Sequence, residues 1–294
     1  MLGLITLLLI GLLVIFATLA MLCAFSAKHP PRHATGWALA HNAPISPATH
    51  DIEFEEWILD RPGGVRLPVW DVPGTNPDAP CLVLLHGWSR SKLTWLIRLK
   101  WWRSRASRLV IPDLRGHGEA TPNGSTLGDA DVDDVLALLE RVAAPKVVLV
   151  GRSMGSVVAI KTAARSNGNT VAGVIAVAPY EKLADTIRAR LKLQSLPATP
   201  IVELTMSLLR ALGIRDTSTI AAAAELRMPL LIVQGGKDPV SNPESARAIA
   251  EAHEKTRLVM VDQAGHGDHW DLEGDRLDDE VERFLADVSS NPKT

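Results

Sequence analysis

The chain has 294 residues, of which 22% are charged and 47% hydrophobic, and its formal net charge is −2. This composition excludes global disorder, and about 250 residues remain for one large domain once the apolar first stretch is set aside. The charge balance lacks the basic excess of nucleic-acid-binding proteins, so no nucleic-acid partner is expected.

The first segment, residues 1–27, carries no charged side chain and predicts a transmembrane anchor helix. A cleaved signal peptide is the alternative, but it needs a basic start, a shorter apolar core and a small-x-small cleavage site. Lys28 and Arg32 follow the span, and no Lys or Arg precedes it. The positive-inside rule therefore predicts a single-pass membrane protein whose large domain lies in the cytoplasm. Residues 28–50 contain several Pro and polar residues and predict a linker.

Beyond residue 50, short apolar runs alternate with longer helical patterns. This alternation predicts an α/β domain over residues 51–290, with a mostly parallel sheet and helices on both faces. Ligands of such domains bind outside the carboxyl ends of the strands. Strands are predicted at 52–59, 65–70, 81–85, 108–111, 146–150, 171–177, 230–233 and 258–261.

Three helical patterns between these strands need an interpretation. Residues 91–102 combine Trp with basic residues, which suits either a membrane interface or, as we favour, ordinary packing. The acid-rich start of residues 128–142 predicts a solvated helix N-terminus rather than a metal site. Apolar residues recur at helical spacing within residues 180–225, which predicts a helical cap inserted into the sheet domain.

The segment Gly151-Arg152-Ser153-Met154-Gly155 follows a predicted strand and precedes a predicted helix. This is the context of a nucleophile elbow, in which a sharp turn lifts the serine hydroxyl above the sheet edge. Glycines relieve the crowding of such a turn, and the following helix start supplies free N–H groups. The sequence therefore predicts Ser153 as the nucleophile.

A serine nucleophile needs a base, and the base needs an acid that orients it. His266 follows the last predicted strand and is the predicted base, with the nearby His269 as the second candidate. Asp238 follows the strand at 230–233 and is the predicted acid. Although Asp is common in turns rich in Gly and Pro, the chain order serine, acid, histidine favours a catalytic triad.

Two backbone N–H groups are expected to form an oxyanion hole. Met154 directly follows the nucleophile, and Trp88 lies in the loop after the strand at 81–85, so these two residues are the predicted donors. His86 precedes Trp88 and is expected to brace that loop through hydrogen bonds. The polar loop at 112–118 is expected to position the rim of the site.

Five motifs lie at these strand ends: His86-Gly87, Asp113-Leu114-Arg115-Gly116-His117-Gly118, Gly151-Arg152-Ser153-Met154-Gly155, Gly236-Lys237-Asp238 and Gly265-His266. Together they resemble the α/β-hydrolase superfamily, and most of all its lysophospholipase and serine-aminopeptidase-like branch. The resemblance covers about residues 50–290 and implies the α/β-hydrolase fold and a serine triad. A serine at the elbow argues against the epoxide hydrolases and haloalkane dehalogenases, which use aspartate there. Arg152 departs from the histidine often found beside the nucleophile and is expected to tune the pocket or to pack against the sheet.

The sequence contains no zinc-ligand spacing, dinucleotide fingerprint or phosphate-binding Gly-rich motif, so neither a metal nor a cofactor is expected. A serine triad can hydrolyse esters, thioesters or amides. Because the predicted cap is rich in Leu and Ile and an anchor precedes the domain, we expect a small-molecule or lipid-derived acyl ester as substrate. The alternatives are a peptidase, amidase or thioesterase of the same fold, or a non-catalytic binding module tethered to the membrane.

Overall fold

A computed structural model of the chain describes residues 2–166 and 170–290. The central element is one eight-stranded sheet, whose strands form where short apolar runs are covered on both faces. The strands are β1 (Glu55–Arg61), β2 (Val65–Pro73), β3 (Cys81–Leu85), β4 (Arg108–Pro112), β5 (Val147–Arg152), β6 (Val171–Val177), β7 (Leu230–Gly235) and β8 (Thr256–Val261). Each lies within three residues of its predicted bounds.

The strand order across the sheet is β1-β2-β4-β3-β5-β6-β7-β8. Strands β1 and β2 pair in antiparallel fashion, as do β2 and β4, and all other pairs are parallel. The carboxyl ends of the parallel strands therefore lie at one edge of the sheet, where the predicted site residues follow them. This confirms the predicted α/β architecture with a mostly parallel sheet.

Helices cover both faces of the sheet and extend over its carboxyl edge. They are α1 (Leu2–Lys28), α2 (Thr35–Ala40), α3 (Leu99–Arg103), α4 (Asp131–Val142), α5 (Met154–Arg165), α6 (Leu183–Leu193), α7 (Ala198–Ala211), α8 (Thr219–Ala224), α9 (Pro243–Glu251) and α10 (His269–Ser290). The two sheet faces carry separate apolar clusters, and a third cluster joins α1 to α6 and α7. Helix α8 packs on α5 and α9, whereas α6 packs on α7 and α7 packs on α1.

Helix α1 is long and apolar enough to cross a membrane. Its first 14 described residues, 2–15, are all exposed, whereas Ala20 and Ala24 are buried against α7. The indole N–H of Trp88 donates to the carbonyl of Ala27 at 2.9 Å, and the hydroxyl of Thr205 donates to the carbonyl of Ala20 at 3.4 Å. The second half of α1 is thus docked on the domain. The predicted anchor also includes residue 1, which lies outside the described residues.

The segment predicted as a linker, residues 28–50, is packed against the domain. The Arg32 guanidinium donates to the carbonyl of Gly118, and the Ser91 hydroxyl donates to the carbonyl of His33 at 2.6 Å. Helix α2 and a 3₁₀ turn, Pro47–His50, lie within it. Composition predicted a connection, but it could not reveal these tertiary hydrogen bonds, which fix the path of the segment.

Two helical patterns differ in detail from their predictions. Residues 92–98 form a 3₁₀ helix before α3, and Trp95 and Trp102 are buried, which supports packing rather than membrane contact. Helix α10 begins at His269, seven residues before the predicted start at 276, and has a kink at Glu273. The last strand therefore leads into the helix through a short loop that carries His266.

Candidate active site

The turn between β5 and α5 holds the backbone of Ser153 at a φ of +51°, a value that residues other than glycine rarely adopt. A Cβ at Gly151 would lie 2.2 Å from the carbonyl oxygen of Gly155, and a Cβ at Gly155 would lie 2.3 Å from that of Leu85. Both positions therefore require glycine, because the turn and the neighbouring strand approach too closely for a side chain. This packing holds the Ser153 hydroxyl at the carboxyl edge of the sheet.

The structure brings the three predicted triad residues together. His266 Nε2 lies 3.0 Å from Ser153 Oγ, and His266 Nδ1 lies 2.8 Å from Asp238 Oδ2. The three side chains follow β5, β7 and β8, which are parallel strands of one sheet. They form one hydrogen-bonded chain from a carboxylate through an imidazole to a hydroxyl, which is the arrangement that activates a serine for nucleophilic attack.

The carboxylate of Asp238 is held by further donors. Its Oδ1 accepts hydrogen bonds from the backbone N–H groups of Val240 at 2.8 Å and Ser241 at 2.9 Å. Burial raises the pKa of Asp238, but the hydrogen bonds from His266 and from these N–H groups outweigh it, so the pKa lies below its usual value. The side chain is therefore a fixed carboxylate at neutral pH, and its remaining oxygen orients the imidazole.

The other histidines singled out in the sequence do not reach Ser153. His269 is fully buried, and neither of its ring nitrogens has a hydrogen-bond partner among the described residues. Burial, followed by the charge of Arg152, lowers the pKa of His269 to about 4. His86 donates from Nδ1 to the carbonyl of Gly87 and accepts at Nε2 from the N–H of Leu114, and these bonds brace the loop.

The predicted oxyanion donors lie on two sides of Ser153. Met154 begins α5, and Trp88 lies in the loop after β3, where a Cβ at Gly87 would lie 3.4 Å from the Cβ of Ser153. Within residues 2–166 and 170–290, the backbone N–H groups of Trp88 and Met154 have no hydrogen-bond acceptor. Both donors are thus free to bind an oxygen that develops negative charge.

An apolar cavity of about 330 Å³ opens on one side of Ser153. We call it the apolar cavity. Its walls come from α1, from α6, and from the loops that carry Trp88 and Leu127. Helix α1 contributes Leu19, Leu22, Cys23, Ser26 and Ala27, so the predicted anchor forms one wall of the candidate site. Its volume and lining are those of a pocket for a small apolar group.

Ser153 also lines a second cavity, of about 530 Å³. We call it the arginine cavity, because Arg90, Arg152 and Arg190 line it, and no Asp or Glu of the described residues does. His266 lines this cavity and does not line the apolar cavity. The segment 33–44, which connects α1 to the sheet, forms its outer rim.

Sequence reasoning identified the residues around Ser153 but missed both cavity walls. The sequence of α1 did not predict which of its residues form the cavity wall, because a helix that is apolar on all sides has no distinct face for packing. Arg90 and Arg190 lie 100 residues apart in unremarkable loop and helix contexts, so only the folded chain brings them together. Arg152 was expected to tune the pocket, and it lines the arginine cavity.

Known proteins resemble different parts of this chain. Protein phosphatase methylesterase 1 of Mus musculus is 38% identical over 96 residues, which cover 31% of this chain and only 25% of that protein. The uncharacterized protein YqkD of Bacillus subtilis is 26% identical over 215 residues and 70% of this chain, and the match covers 68% of its own length. The chain thus spans about a quarter of the methylesterase and about two thirds of YqkD.

Solved structures share the fold over a longer region. The Pyrococcus furiosus esterase Pf2001 superposes with a TM-score of 0.72 and 17% identity, over 89% of this chain and 98% of that one. A thermophilic esterase from Thermogutta terrifontis superposes with a TM-score of 0.60 and 22% identity, over 81% of this chain and all of that one. A family model described as the alpha/beta hydrolase family matches residues 82–281. The predicted fold is therefore confirmed, and the chain belongs to the alpha/beta hydrolase family.

Proposed function

We propose that the chain is a membrane-anchored serine hydrolase that cleaves carboxylic esters. Its preferred substrates are esters whose acyl group is derived from a lipid. The observation that carries this proposal is the hydrogen-bonded chain Asp238–His266–Ser153 between two cavities. Similarity to a methylesterase and to solved esterases adds support for ester chemistry.

The reaction follows from this geometry in two steps. Ser153 Oγ attacks the carbonyl carbon of the ester while His266 Nε2 takes its proton, and the N–H groups of Trp88 and Met154 bind the resulting oxyanion. The bond to the alcohol oxygen then breaks, that oxygen takes the proton from His266, and the acyl group stays on Ser153. A water molecule attacks the acyl-enzyme by the same route, which releases the carboxylic acid and restores the serine.

The position of His266 indicates which cavity would hold the alcohol part of the ester and which would hold the acyl part. Because His266 must protonate the departing alcohol, the alcohol lies on the side of the site that His266 lines, which is the arginine cavity. The acyl chain then lies in the apolar cavity, between α6 and the docked half of α1. An apolar wall supplied by the anchor supports an acyl group that comes from a membrane.

The length of the exposed part of α1 supports a membrane origin of the acyl group. The 14 exposed residues at its start rise about 21 Å, which is shorter than the roughly 30 Å hydrocarbon core of a bilayer. A full span therefore brings the docked half of α1 and the adjacent surface of α7 to the membrane. That surface exposes Leu204, Leu208 and Leu212, which are spaced by one helical turn and suit contact with lipid.

The test is hydrolysis of p-nitrophenyl esters from acetyl to palmitoyl by the full chain and by its Ser153→Ala variant. We expect turnover by the wild type and a loss of about a thousandfold or more in the variant, because the triad acts as a unit. Ser207→Ala is the matched control, because this exposed serine on α7 bonds only within its own helix. It is expected to retain wild-type rates.

Matched thioester and amide substrates with the same acyl group separate the alternatives. Faster turnover of the amide would favour a peptidase or amidase, and faster turnover of the thioester would favour a thioesterase. A folded wild type without turnover on any of the three would instead favour a binding module.

The membrane orientation has its own measurement. Lys28 and Arg32 follow the span, so we propose that the hydrolase domain faces the cytoplasm. A reporter fused to the C-terminus should be active only in the cytoplasm. Activity of that reporter outside the cell membrane would contradict the proposed orientation.

A further inference from the structure

Three arginine side chains border the arginine cavity, and each comes from a different part of the fold. Arg90 lies in the loop after β3, Arg152 precedes the nucleophile at the end of β5, and Arg190 lies on α6. Arg90 and Arg190 are exposed at the cavity, and Arg152 is half-buried beside Ser153. The loop that carries Trp88, the elbow and helix α6 thus each contribute one cation.

None of these three arginines is neutralised by an ion pair among the described residues. Arg152 donates to the carbonyl of Gly267 at 3.2 Å, and Arg190 lies over the ring of Trp88 at 5.0 Å. These contacts position the guanidinium groups without cancelling their charge. In contrast, Arg61, Arg98 and eleven other arginines of the described chain pair with carboxylates.

Two of the three arginines, Arg90 and Arg152, are close enough for their positive charges to interact. Burial lowers the pKa of Arg152, and the charge of Arg90 lowers it further. Asp271 opposes this shift only partly. Grouping like charges costs free energy, and a bound anion would reduce that cost. The cluster stands out in a chain whose formal net charge is −2.

We infer that the arginine cavity is a subsite for a phosphate group on the alcohol part of the ester. The inference rests on the proposed ester hydrolysis, since His266 assigns the departing alcohol to this cavity. A phosphate monoester carries roughly −1.5 to −2 charges and several acceptor oxygens, which match three guanidinium groups better than a single carboxylate does. Planar guanidinium groups bind phosphate oxygens through paired hydrogen bonds.

The test compares two substrates that differ only in that phosphate, 1-decanoylglycerol 3-phosphate and 1-decanoylglycerol. We expect the wild type to have the higher kcat/KM on the phosphate ester. The Arg90→Gln variant is expected to lower the ratio of the two kcat/KM values about tenfold, since one charge-assisted interaction is lost. Arg227→Gln is the control, because this exposed arginine precedes β7 at the opposite edge of the sheet. It is expected to keep the wild-type ratio.

Equal kcat/KM values on the two substrates in the wild type would overturn the inference, as would a preference that survives Arg90→Gln. The same comparison with acetyl esters in place of decanoyl esters distinguishes two kinds of phosphate ligand, a lipid headgroup and a soluble phosphorylated alcohol. A preference shared by both acyl lengths indicates a site that also accepts soluble phosphorylated alcohols. A preference confined to decanoyl indicates a lipid headgroup, and either result supports the subsite.

A binding measurement keeps this inference separate from the proposed hydrolysis. Calorimetry with the Ser153→Ala variant requires no turnover, and we expect it to bind glycerol 3-phosphate and not glycerol. Adding Arg90→Gln to that variant should weaken the binding about tenfold. If glycerol 3-phosphate does not bind, the subsite is wrong even where Ser153 hydrolyses esters. If it binds but no ester is hydrolysed, the proposed hydrolysis fails and the subsite stands.

Discussion

Ser153 lines both the apolar cavity and the arginine cavity, but different structural elements form the walls of the two cavities. The apolar cavity has walls of helix side chains from α1 and α6, whereas the arginine cavity is bordered mainly by loops, and Arg90 and Arg152, which have no ion pair among the described residues, line the arginine cavity alone. Among the described residues, only Trp88, Ser153 and Arg190 line both. In the proposed reaction, the two cavities would give the acyl part and the alcohol part of one ester different surroundings at the same serine.

The largest expected effect is on the proposed triad, which would act on a substrate that occupies both cavities. Asp238→Asn should lower kcat about 10³- to 10⁴-fold, because an amide cannot hold the imidazole in the tautomer that accepts the serine proton. Since the triad serves every substrate, the loss should be equal for neutral and phosphorylated esters. The exposed Asp275→Asn on α10 is the control and should behave as the wild type. A loss restricted to one substrate would show that the cavities do not share one catalytic centre.

The next effect separates the cavities from each other. Cys23→Phe enlarges a side chain of the α1 wall and should lower kcat/KM for decanoyl esters at least about tenfold relative to acetyl esters. Met21→Phe is the matched control, because Met21 is 61% exposed on the same helix and does not line the cavity. Chain-length profiles from p-nitrophenyl esters provide the measurement. Equal chain-length profiles in the wild type and the Cys23 variant would show that α1 does not contribute to binding of the acyl group.

The following effect concerns how firmly the α1 wall is attached. Trp88→Phe removes the indole N–H that bonds to Ala27, which costs about 1 kcal/mol of docking free energy. Hydrogen exchange in the second half of α1 should therefore become faster. Trp57→Phe is the control, since its indole N–H bonds to Asp71 at 3.2 Å in the sheet. Unchanged exchange in the Trp88 variant would mean that this hydrogen bond does not hold the wall in place.

The smallest effect is a pH dependence beside the arginine cavity. The pKa of the buried His269 is lowered to about 4, so the unfolded chain binds a proton that the folded chain excludes between about pH 6.5 and 4. Folding stability should therefore fall as the pH falls through that window. Arg152→Gln removes a positive charge that lowers this pKa, so its loss of stability should be shallower. Melting temperatures of both proteins from pH 7 to 4 provide the test, and parallel curves would contradict it.

The sequence predicted much of the fold and of the centre of the site, for a local reason. Each strand was marked by a short apolar run, and Ser153, Asp238 and His266 each follow one of these runs within a few residues. Parallel strands then bring their carboxyl ends together without further information. The motif around Ser153 is similarly local, because its glycines are required by contacts within the turn and with one neighbouring strand.

The surroundings of that centre depended on tertiary structure. Residues 28–50 showed the composition of a linker, yet Arg32 and His33 are fixed by partners more than 50 residues away. The α1 wall and the arginine cluster depend in the same way on residues that meet only after folding. Patterns with a period of a few residues cannot report such contacts, because they describe one element at a time.

Docking of α1 on the domain has a practical consequence for anyone who prepares this protein. Apolar N-terminal helices are routinely deleted to obtain soluble enzymes for assay and crystallisation. Here the deletion would remove Leu22, Cys23 and their neighbours from the apolar cavity and uncover the face of α7 that Ala20 and Ala24 bury. A trimmed protein would present a wider, open groove, and its substrate profile would describe that groove rather than the pocket of the full chain.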